Sequence, residues 1–399
     1  LAVAAAAPTA SAAALAAAEP ARGRYASPFA KDPFAVSLDD KLAALIAADE
    51  AMGIDPRVTL RQARFAAYRE EKAFASTEGG ACAQTLTECG GGISCEAVAR
   101  GESQTRSFPG SQHGGVMQAG YERFESLALD AEAPRVAEEA IALLTAAPCP
   151  PGRSALILDG EQTALQVHES VGHATELDRV LGREASYAGT SFLDPAGLGS
   201  FRYGSELMNV TADATVAGGL GTAGWDDEGV AARAEPLVRD GVLSGFLSSR
   251  ETAAEIGRAA SAGCMRASGF DRQPIVRMTN VNLEPGDAGS LADLIADTDS
   301  GIYMETNRSW SIDNRRLNFQ FGTEAAWEIE DGERRRLLRN PSYAGVTPEF
   351  WAKLDAVCSR PEWRLWGVLN CGKGEPGQAV HVSHGAAPTR FRDVEVGVA

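Results

Sequence analysis

The chain has 399 residues, 44% of them hydrophobic, with 37 Lys and Arg against 54 Asp and Glu and a formal net charge of -17. That length and apolar content can bury a sizeable core and point to two or more domains. The acidic field repels phosphate backbones and anionic membrane surfaces, so nucleic acid is not expected as a partner. No run of about twenty apolar residues occurs, and no membrane span is predicted. Seven cysteines, at 82, 89, 95, 149, 264, 358 and 371, are an odd number in a long chain. They argue against a secreted disulfide framework and for a reducing cytoplasm. Cys82, Cys89 and Cys95 lack the close pairing of a zinc knuckle and read as ordinary thiols.

The Ala-rich opening, Leu1–Glu19, lacks the basic lead and strongly apolar middle of a signal peptide and is predicted to be helical. Ser37 precedes Leu38, Leu42, Leu45, Ile46 and Met52 at helical spacing, with Asp40 to complete the cap and Gly53 to end the run. From Pro56 to about residue 125, patches such as Arg64–Tyr68 and Lys72–Ala75 read as strands, and Gly90-Gly91-Gly92 and Gly114-Gly115 as turns. His113 falls in a loop on this reading. Pro134 opens a second helix carrying Val136, Ala137, Ala140, Ile141 and Leu144 on one stripe. The proline cluster Pro148–Gly152 marks a boundary between an N-terminal α/β domain, 1–147, and a C-terminal domain, 148–399.

Ala155–Leu158 reads as a short buried strand, Asp159-Gly160 as a turn and Gln162–Asp178 as a helix. The rest is strand and turn, with Asp240-Gly241 and Asp331-Gly332 as hairpin signals. One further helix is capped by Ser290 and Asp293, with Leu291, Leu294 and Ile295 on its apolar side.

His168-Glu169-Ser170-Val171-Gly172-His173 is the pattern that carries chemistry, because two imidazoles and a carboxylate can hold a divalent metal beside a base. Residues five apart differ by about 140° around a regular helix, which points the rings apart. Gly172 tolerates an overwound, underwound or left-handed backbone, so a local distortion is expected there. A catalytic zinc needs a third protein ligand and keeps one position open. Glu176, Asp178, His381, His384 and Cys371, in a glycine-flanked turn, all qualify, and spacing does not choose among them. The bland reading treats Glu176 and Asp178 as solvated on the helix surface, with a supporting role behind the metal ligands as their alternative, His381 and His384 as structural, and Arg266, Arg272 and Arg277 as surface or inter-strand residues.

His168–His173 continuing through Glu176 and Asp178 resembles the signature of the TldD half of the TldD/PmbA family. Arg277-Met278-Thr279-Asn280, Glu284-Pro285-Gly286-Asp287 and Leu294–Thr298 with Gly301 are similar to its central signature, and Cys371-Gly372-Lys373 with Gly377-Gln378 to its C-terminal one. The resemblance implies an α+β protein, an N-terminal mixed α/β domain followed by a β-rich, barrel-like catalytic domain carrying the metal-binding helix. It further implies His168, His173 and Cys371 as ligands of zinc, with iron as the alternative, and Glu169 as the base of a peptidase acting on short or unfolded peptides. A relative specialised for one amide or C–N bond is the competing activity, and a non-catalytic binding subunit a third. A heterodimer with a PmbA/TldE-like homologue is the implied assembly, a homodimer its alternative. Members of the family carry a strand-containing segment before the first helix, so the first domain is expected to lack its opening strands.

Overall fold

The computed structural model describes residues 14–111, 115–374 and 377–397; the first thirteen residues and His113 lie outside them. Residues 14–20 form no regular element, so the helix predicted over Leu1–Glu19 does not extend through its described part. Ala16 instead exchanges hydrogen bonds with Arg250, N–H to Arg250 O and O from Arg250 Nε, each at 2.8 Å. Such bonds to the start of a distant helix, Arg250–Glu255, outweigh the helix preference of alanine.

Helix α1, Leu38–Met52, begins where the capping pattern places it. Ser37 Oγ accepts from Asp40 N at 3.1 Å, and Gly53 N donates to Glu50 O at 2.9 Å. Its buried residues, Ala48 and Met52, lie in a cluster with the adjoining sheet. In that sheet β3 (Ala81–Ala99) is central. It pairs along one edge with β2 (Val58–Ala75) and along the other with β1 (Arg22–Ala26) and β4 (Glu102–Phe108).

The turn predicted at Gly90–Gly92 is not one: these glycines sit mid-strand in β3. A Cβ on Gly91 would lie 2.2 Å from Arg64 O and 2.8 Å from the Phe124 ring. Glycine here admits close packing across the strand rather than a reversal. Helix α2 starts at Leu129, five residues before Pro134, and runs to Leu143 with the proline inside it. Its buried stripe, Val136, Ala137 and Ala140, is the predicted one.

The remainder is built on a barrel. Strands β5 (Gly152–Leu158), β7 (Ser300–Ile312), β8 (Asn318–Glu330), β10 (Ser342–Val346) and β13 (Thr389–Val396) pair in the order β7-β5-β13-β10-β8. The ring closes because β7 also pairs with β8. Strand β9 (Glu333–Arg339) extends β8 outward through the Asp331-Gly332 turn, whose residues have φ of 53° and 71° as a tight hairpin requires. A two-stranded ribbon of β11 (Arg364–Lys373) and β12 (Gln378–Ala386) stands apart, and β6 (Val281–Leu283) belongs to a smaller sheet. Leu156, Phe321, Tyr343, Phe350, Trp351 and Phe391 are buried in the barrel's core. The protein is thus α+β with a β-rich second part, as the resemblance implies. Arg106 of β4 ties the two parts together, reaching Glu139 of α2 as well as Glu305 and Glu324 of the barrel.

Candidate metal centre

Strand β5 feeds directly into the helical run that carries the His-Glu motif. Asp159 is not part of a turn but the cap of helix α3, Gly160–Val167, accepting from Gln162 N at 2.7 Å. Every residue from 160 to 179 is buried. Two of the polar residues find internal partners: Gln162 Nε2 donates to Tyr343 Oη at 2.8 Å, and Thr163 meets Thr389 at 2.8 Å.

The single helix predicted over Gln162–Asp178 is broken into four pieces. After α3 the backbone opens into a π turn over His168–Gly172, tightens into a 3₁₀ turn over His173–Thr175, and resumes as α over Leu177–Val180. The expected distortion is therefore underwinding. His173 N–H bonds to His168 O, an i to i+5 link that returns residues five apart to one face. The two rings meet edge to face with centroids 4.8 Å apart.

Gly172 keeps ordinary right-handed angles, φ -53° and ψ -64°. Its missing side chain serves packing instead, since a Cβ there would lie 2.1 Å from Met278 Sδ. Side-chain hydroxyls cover carbonyls along the irregular stretch. Tyr203 Oη donates to Ser170 O at 2.5 Å, and Thr175 Oγ1 to Val171 O at 2.9 Å.

Cys371 arrives from β11 rather than from a glycine-flanked turn, beside a bulge in the β11–β12 register between Val368 and Cys371. One ligand-type atom each from His168, His173 and Cys371 lies within 4.8 Å of the others. Among the described residues no other group of three or more His, Cys, Asp or Glu gathers in this way. His173 Nε2 lies 3.7 Å from Cys371 Sγ. Glu169 lines the same cavity of about 350 Å³, with Trp310, Ser311, Arg316 and Asn370 around it.

The surroundings favour a cation. Burial drives both imidazoles below the usual histidine range, His173 well below it, so both are neutral donors. Burial by itself would raise the Cys371 thiol, but Arg277, then His173, outweigh it and bring its pKa below the ordinary thiol value. Arg277 is fully buried and gives Nη2 to Cys371 Sγ at 3.1 Å and to Cys371 O at 2.6 Å. His168 Nδ1 meets His384 Nε2 at 2.7 Å, and His173 Nδ1 meets Glu176 Oε2 at 2.9 Å. Outer partners of this kind orient metal-binding histidines. Two neutral imidazoles and a thiol of lowered pKa, with one side open to a cavity, suit a catalytic zinc.

Two sequence expectations are corrected here. Glu176 and Asp178 are not solvated: Lys373 Nζ, itself fully buried, reaches Asp178 at 2.7 Å and Glu176 at 3.6 Å. These contacts bring the acids into a charge network behind the rings, and Arg179 Nε adds to it at 3.4 Å from Glu176. Arg277 and Arg266 follow the inter-strand rather than the surface alternative, Arg277 donating to the carbonyls of Cys371 and Gln378 and Arg266 to His381 O at 2.7 Å. Arg272 alone of the three stays at the surface, 3.9 Å from Asp271. Of the late histidines, His384 touches His168, whereas His381 pairs with Glu88 of the first sheet at 2.6 Å.

Sequence reasoning passed over Arg316 altogether. It sits at the tip of the β7–β8 hairpin with φ of 63°, and its Nη1 lies 2.5 Å from Glu169 Oε2. Asp313 fixes this tip by accepting from the N–H groups of Arg315, Leu317 and Asn318. Thr190 N and Phe192 N hold it from outside, each at 2.9 Å. The Asp313-Asn314 pair was a legible turn signal; what the turn overhangs was not.

Residues 31–147 match the central domain and residues 151–398 the C-terminal domain of the PmbA/TldA metallopeptidases. The chain belongs to the PmbA/TldD family. A metalloprotease of Methanocaldococcus jannaschii is 35% identical over 324 residues, 80% of this chain and 66% of that protein. One from Methanothermobacter thermautotrophicus is 37% identical over 70% of this chain and 58% of its own length. The chain thus spans 66% and 58% of these two family members. A Saccharolobus solfataricus member, 26% identical over 62% of this chain and 52% of that protein, is named a zinc metalloprotease TldD homolog. The solved TldE of Thermococcus kodakarensis shares the family fold at a TM-score of 0.68, with 17% identity, over 95% of this chain and 78% of its own.

Proposed function

We propose that the chain is the metal-bearing subunit of a zinc-dependent peptidase that hydrolyses peptide bonds in short or unfolded peptides. The observation that carries this reading is the convergence of His168, His173 and Cys371 within 4.8 Å on a cavity that Glu169 also lines. These three residues would hold the ion. When bound, zinc supplies Lewis acidity and a water of lowered pKa. Glu169 is the base that takes the proton from the attacking water and returns it to the departing amine. Arg316, 2.5 Å away, fixes the orientation of that carboxylate. The names of the relatives support peptidase activity, and the Saccharolobus relative supports zinc over iron.

The proposal includes a division of the chain into domains at 1–147 and 148–399, in keeping with the two matched family regions. It also places the protein in the cytoplasm, where seven unpaired thiols are at home. No helix among the described residues is long and apolar enough to cross a membrane. A heterodimer with a metal-free homologue is the proposed assembly, supported by the fold shared with a relative named TldE.

The test is digestion of a mixture of unstructured peptides by wild type and Glu169→Ala at equal metal content. The variant should retain its metal and lose roughly 10²- to 10⁴-fold in turnover, the size expected for removal of a general base. Equal turnover would take Glu169 out of the mechanism, and a wild type that cleaves one defined amide but no mixed peptides would replace the general peptidase with the specialist.

A further inference from the structure

His168 and His173 lie on one turn of backbone, yet the nitrogens that face away from Cys371 meet different partners. The Nδ1 of His173 has a carboxylate, Glu176, whereas the Nδ1 of His168 has a second imidazole, His384. His384 lies on β12, opposite Trp366 of β11, and is fully buried. Its neighbour Gly385 donates N–H to Asn282 Oδ1 at 2.7 Å, which fastens β12 to β6. From this position His384 Nδ1 reaches the carbonyl oxygen of Val281, in β6, at 2.9 Å.

A carbonyl oxygen can only accept, so His384 Nδ1 carries the ring proton. Neither ring nitrogen of His384 faces an anion, and a second proton would create a buried, uncompensated cation. His384 Nε2 is then a bare acceptor. At 2.7 Å from it, His168 Nδ1 must donate, and its own Nε2 is left without a proton in the cavity that His168 lines.

We propose that His384 is a positioning residue: through the Val281 carbonyl it locks His168 in the Nδ1–H tautomer and leaves His168 Nε2 ready for a cation. The inference rests on the metal-centre reading only for what Nε2 then binds. His384 is the neutral counterpart of Glu176. It orients a ligand without adding negative charge behind it, so one imidazole is backed by an anion and the other by a dipole.

The experiment uses the full chain with ¹⁵N-labelled histidine, of which there are five, before and after zinc loading, together with His384→Leu and His384→Gln. In the metal-free wild type, the ¹⁵N shifts of His168 should report a protonated Nδ1 and a bare Nε2. His384→Leu removes the acceptor, so the two tautomers should mix and zinc affinity, measured by competition with a chromophoric chelator, should fall about 10- to 100-fold. His384→Gln restores a neutral acceptor and should recover most of both signals, a pattern that a loss of packing would not produce. A wild-type His168 protonated on Nε2 overturns the inference, whether or not the variants fold. So does a folded His384→Leu protein with wild-type tautomer and affinity. If the wild type binds no zinc but His168 shows the Nδ1–H tautomer and loses it in His384→Leu, the positioning role stands and the metal reading falls.

Discussion

Helix Leu38–Met52 and the helical run Gly160–Val180 both begin at a side-chain cap, Ser37 on Asp40 N and Asp159 on Gln162 N. Beyond that they part. The first continues as regular α-helix to a glycine stop and leaves Leu38, Leu42 and Ile46 exposed by 45% or more. The second passes through α, π, 3₁₀ and α geometry and exposes almost nothing. A surface helix is governed by its own caps and period. A helix enclosed on all sides is governed by its neighbours, which here supply Met278 against Gly172, hydroxyls for the carbonyls, and a charge network behind the histidines.

That contrast gives an ordered set of expectations. Lys373→Met should have the largest effect, because Asp178 would then stand buried without its cation and Glu176 would keep only Arg179. Breaking such a group costs about 3–5 kcal/mol, read as a lowered denaturant midpoint in the metal-free protein. A loss below about 1 kcal/mol, the scale of an exposed pair, would mean that the network contributes little.

Gly172→Ala comes next. Its Cβ falls 2.1 Å from a sulfur in a packed core, and overpacking of this kind costs about 1–3 kcal/mol. Combination with Met278→Ala should recover part of the Gly172→Ala loss, a non-additivity that a double-mutant cycle measures. If the two changes simply add, Met278 is not what requires a glycine there. In the regular helix, Ser37→Ala should cost about 1 kcal/mol through the lost cap. The smallest effect belongs to Leu42→Gln on the exposed face, within about 0.5 kcal/mol of wild type. A large loss there would show that this face is covered in solution, which would weaken the contrast between the two helices.

Much of the framework was legible locally. Ser37 with Asp40, Ser290 with Asp293, and the Asp240-Gly241 and Asp331-Gly332 pairs act over two to four residues, and each sits in the structure as its chemistry dictates. The errors came where a local signal had a non-local cause. Gly90–Gly92 looked like a turn but provides clearance inside a strand for Phe124 and Gly115. Glu176 and Asp178 looked like surface charges because charged residues usually are, yet their counter-charge, Lys373, is supplied from far along the chain.

The sequence by itself determined which residue types were present for the chemistry: two histidines and a glutamate in six positions, a late cysteine, and a composition that disfavours contact with polyanions. Only the tertiary structure decided that a π turn brings His168 and His173 to one face, that β11 delivers Cys371 to them, and that Arg316 and His384 stand behind Glu169 and His168. Backbone caps and turns are short-range and are written in neighbouring residues. The orientation of a buried polar group depends on which distant partner desolvation forces it to find, and that is settled only when the chain has closed around it.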